Sequence, residues 1–173
     1  DDLKLTVELA KAYYKENYSK EAYSLFKLVL TQEPKNATAL VYQGSLETLF
    51  SIEFENPLDK LKQVEKGCDM MDRGVELNPE SVENRLIRAA TSVELPKMFN
   101  RIDYVFEDTF FIKDLPYFDH LPMFVKQRTY LTLAKAYKAH NRTEKSKQLL
   151  ASVIELNHKT SAAKIAEKLI LSL

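Results

Sequence analysis

The side chains best able to do chemistry are few and scattered along these 173 residues. His120, His140 and His158 are far apart, and none has a second ligand at the spacing a metal ion needs. Two of them fall at expected helix ends, where an imidazolium complements the helix dipole. Asp69 and Asp72 share one helical face and could pair for proton transfer. Lysines flank them, and a solvated face is the simpler account. Asp103, Glu107 and Asp108 form an acidic patch that reads the same way. Cys68 is the one cysteine, so an internal disulfide and a cysteine metal cage are both excluded. It follows Gly67 within a helical pattern, as a small packed apolar residue does. Neither a glycine-rich phosphate loop nor a nucleophile elbow occurs. The expectation is no catalysis, no cofactor and no bound metal.

Three triplets match the glycosylation acceptor pattern: Asn17-Tyr18-Ser19, Asn36-Ala37-Thr38 and Asn141-Arg142-Thr143. All lie where turns are expected, and Asn, Ser and Thr are the residues that turns and helix caps use.

Charge and hydropathy narrow the class further. The 25 basic and 25 acidic residues cancel, so no global field draws nucleic acid or an anionic membrane. No apolar run reaches the ~18 residues of a membrane helix. The sequence opens at Asp1 rather than Met, which leaves the compartment open: cytoplasmic, or extracytoplasmic if Asp1 follows a cleaved leader.

Apolar residues recur at helical spacing from end to end, beginning with Leu5, Leu9, Ala12 and Tyr13. Three glycines and six prolines are few for this length and punctuate helices rather than strands. Asn56-Pro57 and Asn78-Pro79 each place a capping side chain before a proline in a helix first turn. Leu95-Pro96 and Leu121-Pro122 look like further restarts, and Asn36 and Thr160 like caps. The pattern predicts an all-α chain of nine helices over about 3–16, 19–32, 37–54, 57–77, 80–94, 96–113, 122–140, 143–156 and 161–172. Short connections make neighbours antiparallel.

The chain also repeats itself. Leu9-Ala10-Lys11-Ala12-Tyr13 returns identically as Leu133-Ala134-Lys135-Ala136-Tyr137, and the register then carries Asn17 onto Asn141, Leu25 onto Leu149 and Val29 onto Val153. Small residues at such positions let helix backbones approach, and a neighbouring aromatic fills the space left. Leu9, Ala10, Tyr13, Ala22, Phe26 and Pro34 resemble the tetratricopeptide repeat (TPR), a helix–turn–helix of about 34 residues. Leu40, Gly44, Gly67, Met71, Gly74 and Pro79 fit a second unit, and Leu133, Ala134, Tyr137, Ser146 and Leu150 a fourth. The third departs most, with Arg85 and Arg88 where the family has apolar residues. The resemblance implies a right-handed α-α superhelix of stacked antiparallel hairpins. These cover about 3–34, 37–79, 80–115 and 122–158 of a single domain over 1–173, closed by a capping helix at 161–172.

Spacing marks where the array is irregular. Pro34 to Pro79 is 45 residues, eleven beyond one unit, and Pro79 to His158 is 79, eleven beyond two. The first excess is expected to lengthen both helices of the second hairpin around Phe50, Ile52 and Phe54. The second falls at 116–126 and carries Tyr117, Phe118, Met123 and Phe124, either as a plug between hairpins or as an apolar surface for a partner or a second copy.

The family lines a concave groove with the first helix of each hairpin and uses it as a protein-interaction scaffold. Carried across, the groove takes Lys4, Val7, Lys11, Tyr14 and Lys15; then Thr38, Val41, Ser45 and Thr48; then Glu83, Leu86, Ala90 and Glu94; then Arg128, Leu131, Lys135 and Lys138. Its ends are basic and its middle polar or acidic. The carboxylate clamp of chaperone-binding members is not intact, because Val7 stands at its lysine place and Lys11 at its asparagine place. The expectation is an adaptor holding a protein or peptide partner. Self-association through the end helices or the aromatic insertion is the alternative.

Overall fold

The computed structural model describes residues 2–173. Among them nine α-helices follow one another: α1 (Asp2–Lys15), α2 (Ser19–Gln32), α3 (Ala37–Phe50), α4 (Pro57–Leu77), α5 (Val82–Ser92), α6 (Ile102–Lys113), α7 (Met123–Ala139), α8 (Thr143–Leu156) and α9 (Ser161–Leu171).

The turns of the two matching hairpins are built alike. At the end of α1 the Tyr18 N–H donates to the Tyr13 carbonyl at 2.9 Å and the Asn17 N–H to Tyr14 at 3.1 Å. At the end of α7 Arg142 donates to Tyr137 at 2.9 Å and Asn141 to Lys138 at 3.0 Å. Both are Schellman closures, which need one residue in the left-handed region. Asn17 (φ 63°) and Asn141 (φ 57°) supply it, asparagine being the non-glycine residue that tolerates it best. Asn36 has the other role, capping α3 by accepting from the Ala39 N–H at 3.0 Å. Asn56 caps α4 through the Leu58 and Asp59 N–H groups, and Thr160 caps α9 through Ala163.

Three expectations are corrected. Asn78 does not open α5: it ends α4, and Ser81 caps the next helix by accepting from the Asn84 N–H. α3 stops at Phe50 and tightens into a 3-10 turn, Ser51–Glu53, which leaves Ile52 and Phe54 exposed; the added length lies mainly in the 21-residue α4. α6 starts at Ile102 rather than near Pro96, because a short 3-10 turn there ends on Asn100 in the left-handed region.

By compactness the residues fall into two units, Asp1–Arg88 and Ala89–Leu173. In the first, α1 packs on α2, α2 on α3 and α3 on α4. Its core joins Ala10, Ala22, Phe26, Val29, Ala39, Tyr42 and Leu46. Small Ala22 and Ala39 admit the close approach, and Phe26 stacks on Tyr42 with ring centres 5.1 Å apart. The tightest crossing is between α3 and α4, where a Cβ built on Gly44 would lie 2.5 Å from the Gly67 carbonyl, and one on Gly67 2.5 Å from the Gly44 carbonyl. Only glycine fits at both points.

In the second unit α7 packs on α6, α8 and α9. Leu131, Ala134, Leu150, Val153 and Ala166 make one cluster, and Ala89, Val105 and Ala136 another. The Ser146 hydroxyl donates to the Ala134 carbonyl at 2.9 Å, so a small polar residue also serves at a crossing.

Candidate functional site

The expected groove residues of the first unit converge in a hydrogen-bonded row across α1, α3 and α5. Tyr14 and Ser45 bond through their hydroxyls at 2.8 Å. The Tyr42 hydroxyl donates to Glu83 at 2.7 Å, and Lys11 bridges Glu83 at 2.9 Å and Glu8 at 3.0 Å. Tyr14 also meets Tyr42 edge-on, ring centres 4.8 Å apart. Burial is the main reason the Tyr42 phenol holds its proton far above the usual tyrosine range, and the Glu83 charge adds to it. Burial alone draws the Lys11 ammonium down, but Glu83 and Glu8 outweigh it and raise the group above its ordinary value.

The second unit repeats the device. Lys135, the counterpart of Lys11 in the repeat, pairs with Glu94, and Lys138 donates to the Ser172 hydroxyl at 2.7 Å. Both acids, Glu83 and Glu94, are themselves expected groove residues of the third hairpin. The basic and acidic stretches of the expected groove therefore neutralise each other inside the chain, a pairing that sequence positions alone do not reveal.

The remaining expected groove residues divide by exposure. Lys4, Lys15 and Arg128 are exposed and Thr38 is half-buried. Val41 is fully buried against Gly74, and Val7, Ser45, Thr48, Leu86 and Leu131 are buried as well. In the aromatic insertion Phe118 is 6% exposed and meets Tyr130 edge-on, whereas Phe124 is 60% exposed. Tyr117 and Met123 are exposed beside it in sequence. The insertion thus holds one buried aromatic, Phe118, and three exposed apolar side chains.

Two buried polar assemblies bring together residues that the sequence did not pair. Glu47, buried on α3, accepts from the Tyr23 hydroxyl at 3.2 Å, from Gln43 at 3.5 Å and from Gln63, and pairs with Lys66 at 3.1 Å. Burial, and then the Glu47 charge, raise the Tyr23 phenol. Arg88 is buried and pairs with Asp72 at 3.3 Å, while Arg85 donates to the Pro79 carbonyl at 2.6 Å. The two arginines that break the apolar pattern thereby hold α5 in place. Asp72 belongs to that contact, and among the described residues no group of three or more metal-capable side chains converges.

Such paired helices, with small residues at their crossings and matched turns, define the TPR class of helical repeat folds. The fold is similar to the crystal structure of a thermophilic TPR protein from Thermus thermophilus, with a TM-score of 0.72 over 100% of this chain and 83% of that one. The two share 14% of their residues, so the likeness is one of fold. No family model and no curated protein matches the sequence. Among the described residues no helix is long and apolar enough to cross a membrane.

Proposed function

We propose that the chain is a non-catalytic scaffold that binds a segment of a partner protein along the first-helix faces of its hairpins. The observation carrying this reading is the repeated Lys-over-Glu arrangement, Lys11 on Glu83 and Lys135 on Glu94. In both, a partly exposed lysine is held in place by an acid of the same surface. Such a surface is ordered before a partner arrives, and pre-ordering lowers the entropic cost of binding. Because the acids are already present, recognition rests on hydrogen bonds from Lys11, Tyr14, Thr38, Lys135 and Lys138. Lys4, Lys15 and Arg128 add charge at the edges.

Peptides selected from a random display library provide the test, with amide shifts on the full chain locating each one. Perturbations are expected on α1, α3 and α7, with affinity falling as salt rises from about 0.05 to 0.5 M. Affinity that ignores salt would remove these charges from the mechanism. The exposure of Tyr117, Met123 and Phe124 favours a second reading, an apolar contact at the insertion. Shifts confined to 117–124 would select it over the groove.

A further inference from the structure

The first unit has a second concavity, at its turns. A cleft of about 430 Å³ is lined by the α1–α2 turn, the first turn of α2, the end of α3 and the 3-10 turn that follows it. Its apolar lining comes from Tyr18 on the first of these and from Leu49, Phe50 and Ile52 on the last two. Tyr18, Leu49 and Ile52 are exposed, Ile52 to 73%. Large apolar side chains left open around a concavity mark a place where something binds. Contacts behind them fix the lining. The Tyr18 ring rests edge-on against Tyr13 with centres 5.9 Å apart, and the Phe50 ring against Tyr23 at 5.4 Å. The cleft is not a general property of the repeat, because the matched turn at Asn141 carries Arg142 where this one carries Tyr18.

Charge at the rim limits what can fill it. Glu21 and Glu53 line the cleft and Glu55 follows two residues on, all three exposed, with Lys20 the one cation of the lining. Among the described residues none of these four charges is in an ion pair. Three carboxylates to one ammonium leave the rim negative. We infer that the cleft takes an apolar side chain, leucine or phenylalanine, from a partner segment that carries lysine or arginine on either side of it. The apolar group lies against Tyr18, Leu49 and Ile52, and the flanking cations meet Glu21 and Glu53. A lining already held in place need not be ordered on binding. The groove reading uses Lys11, Tyr14 and Thr38 instead, so the two stand independently.

Three short blocked peptides, added to the isotope-labelled full chain and followed by its amide shifts, test this at about 0.05 M salt. One has leucine and phenylalanine between two lysines, one the same pair between two glutamates, and one two glycines between two lysines. The first should move the amides of residues 17–21 and 49–53 and saturate with a Kd of about 1 mM. The glutamate peptide should bind about fivefold more weakly, and the glycine peptide should leave those amides in place. The first turn of α2 has no side-chain cap and by itself favours an anion, so the glutamate peptide is the decisive probe: equal or tighter binding of it overturns the inference. Ile52→Ser should weaken the lysine peptide about fivefold. Glu21→Gln/Glu53→Gln should make the lysine and glutamate peptides bind alike, since Glu55 and Lys20 then cancel. All these positions are exposed, so unchanged circular dichroism is expected. Should Ile52→Ser lose its fold, Leu49→Ser makes the same test from α3. A lysine peptide that moves no amide of the cleft overturns the inference, as does one that binds the serine variant undiminished or a preference that survives the double glutamine variant. So do the same shifts on raising the protein concentration alone, which would give the cleft to a second copy.

Discussion

Replacing Gly44 with alanine tests the α3–α4 crossing, and two effects of opposite sign decide its outcome. Alanine is the better helix former by about 1 kcal/mol, so at an open helix position the change would stabilise. Here the new methyl would lie 2.5 Å from the Gly67 carbonyl oxygen and 2.9 Å from the Met71 nitrogen. Both atoms are backbone of a 21-residue helix and cannot swing aside. Relief requires α3 and α4 to separate by roughly 0.8 Å, and overpacking of this kind costs about 1–3 kcal/mol, with dispersion lost along the whole seam. The upper part of that range applies because the obstacle is rigid. The expected net loss is about 2 kcal/mol, a fall in Tm of roughly 4–8 °C for a chain of this size. Urea and thermal unfolding followed by circular dichroism measure it. Gly67→Ala should behave alike, and the double variant should cost less than the two singles combined, since one separation relieves both clashes. An alanine variant at Gly44 as stable as its parent, or more so, would falsify the close approach.

Other expectations follow from named groups. Tyr42 keeps its proton in the folded chain where an unfolded tyrosine loses it near pH 10, so the folded state binds more protons above that pH. Stability should be unaffected by this group below about pH 10 and then fall by about 1.4 kcal/mol per unit, with Lys11 adding in the same direction above its ordinary value near 10.4. Urea midpoints from about pH 8 to 11.5 read this out, and Tyr42→Phe should flatten the decline; an unchanged slope in that variant would assign it elsewhere. In the insertion, Phe118→Ala should cost about 3 kcal/mol by leaving a cavity against Tyr130, while Phe124→Ala should cost less than about 0.5 kcal/mol. Equal losses in a melting comparison would contradict the division of that segment into plug and surface.

Much of the fold was legible because its causes are local. Helical spacing, the asparagines at turns and caps, and small residues such as Gly44, Gly67, Ala22 and Ala134 each act through neighbours close in sequence or through a repeated crossing. Where the causes are distant the sequence was silent. Arg85 and Arg88 look like damage to the pattern until Asp72 and the Pro79 carbonyl are seen to receive them. Val41, placed in the groove by its position in the repeat, is turned instead against Gly74. Lys11 and Lys135 read as cations awaiting a partner, yet Glu83 and Glu94 already meet them, each from within the same unit. Nor could the pentapeptide show that Leu133 is buried where Leu9 is half exposed.

The Schellman closures at Asn17 and Asn141 make the two bends interchangeable fittings. Their donor–acceptor pairs agree within about 0.1 Å, and each turns on a single left-handed asparagine. The asparagine turn of residues 17–18 could therefore be exchanged with that of 141–142 without rewinding the helices on either side. A glycine in place of either asparagine would keep the hinge geometry, which makes these bends the natural places to rewrite the molecule.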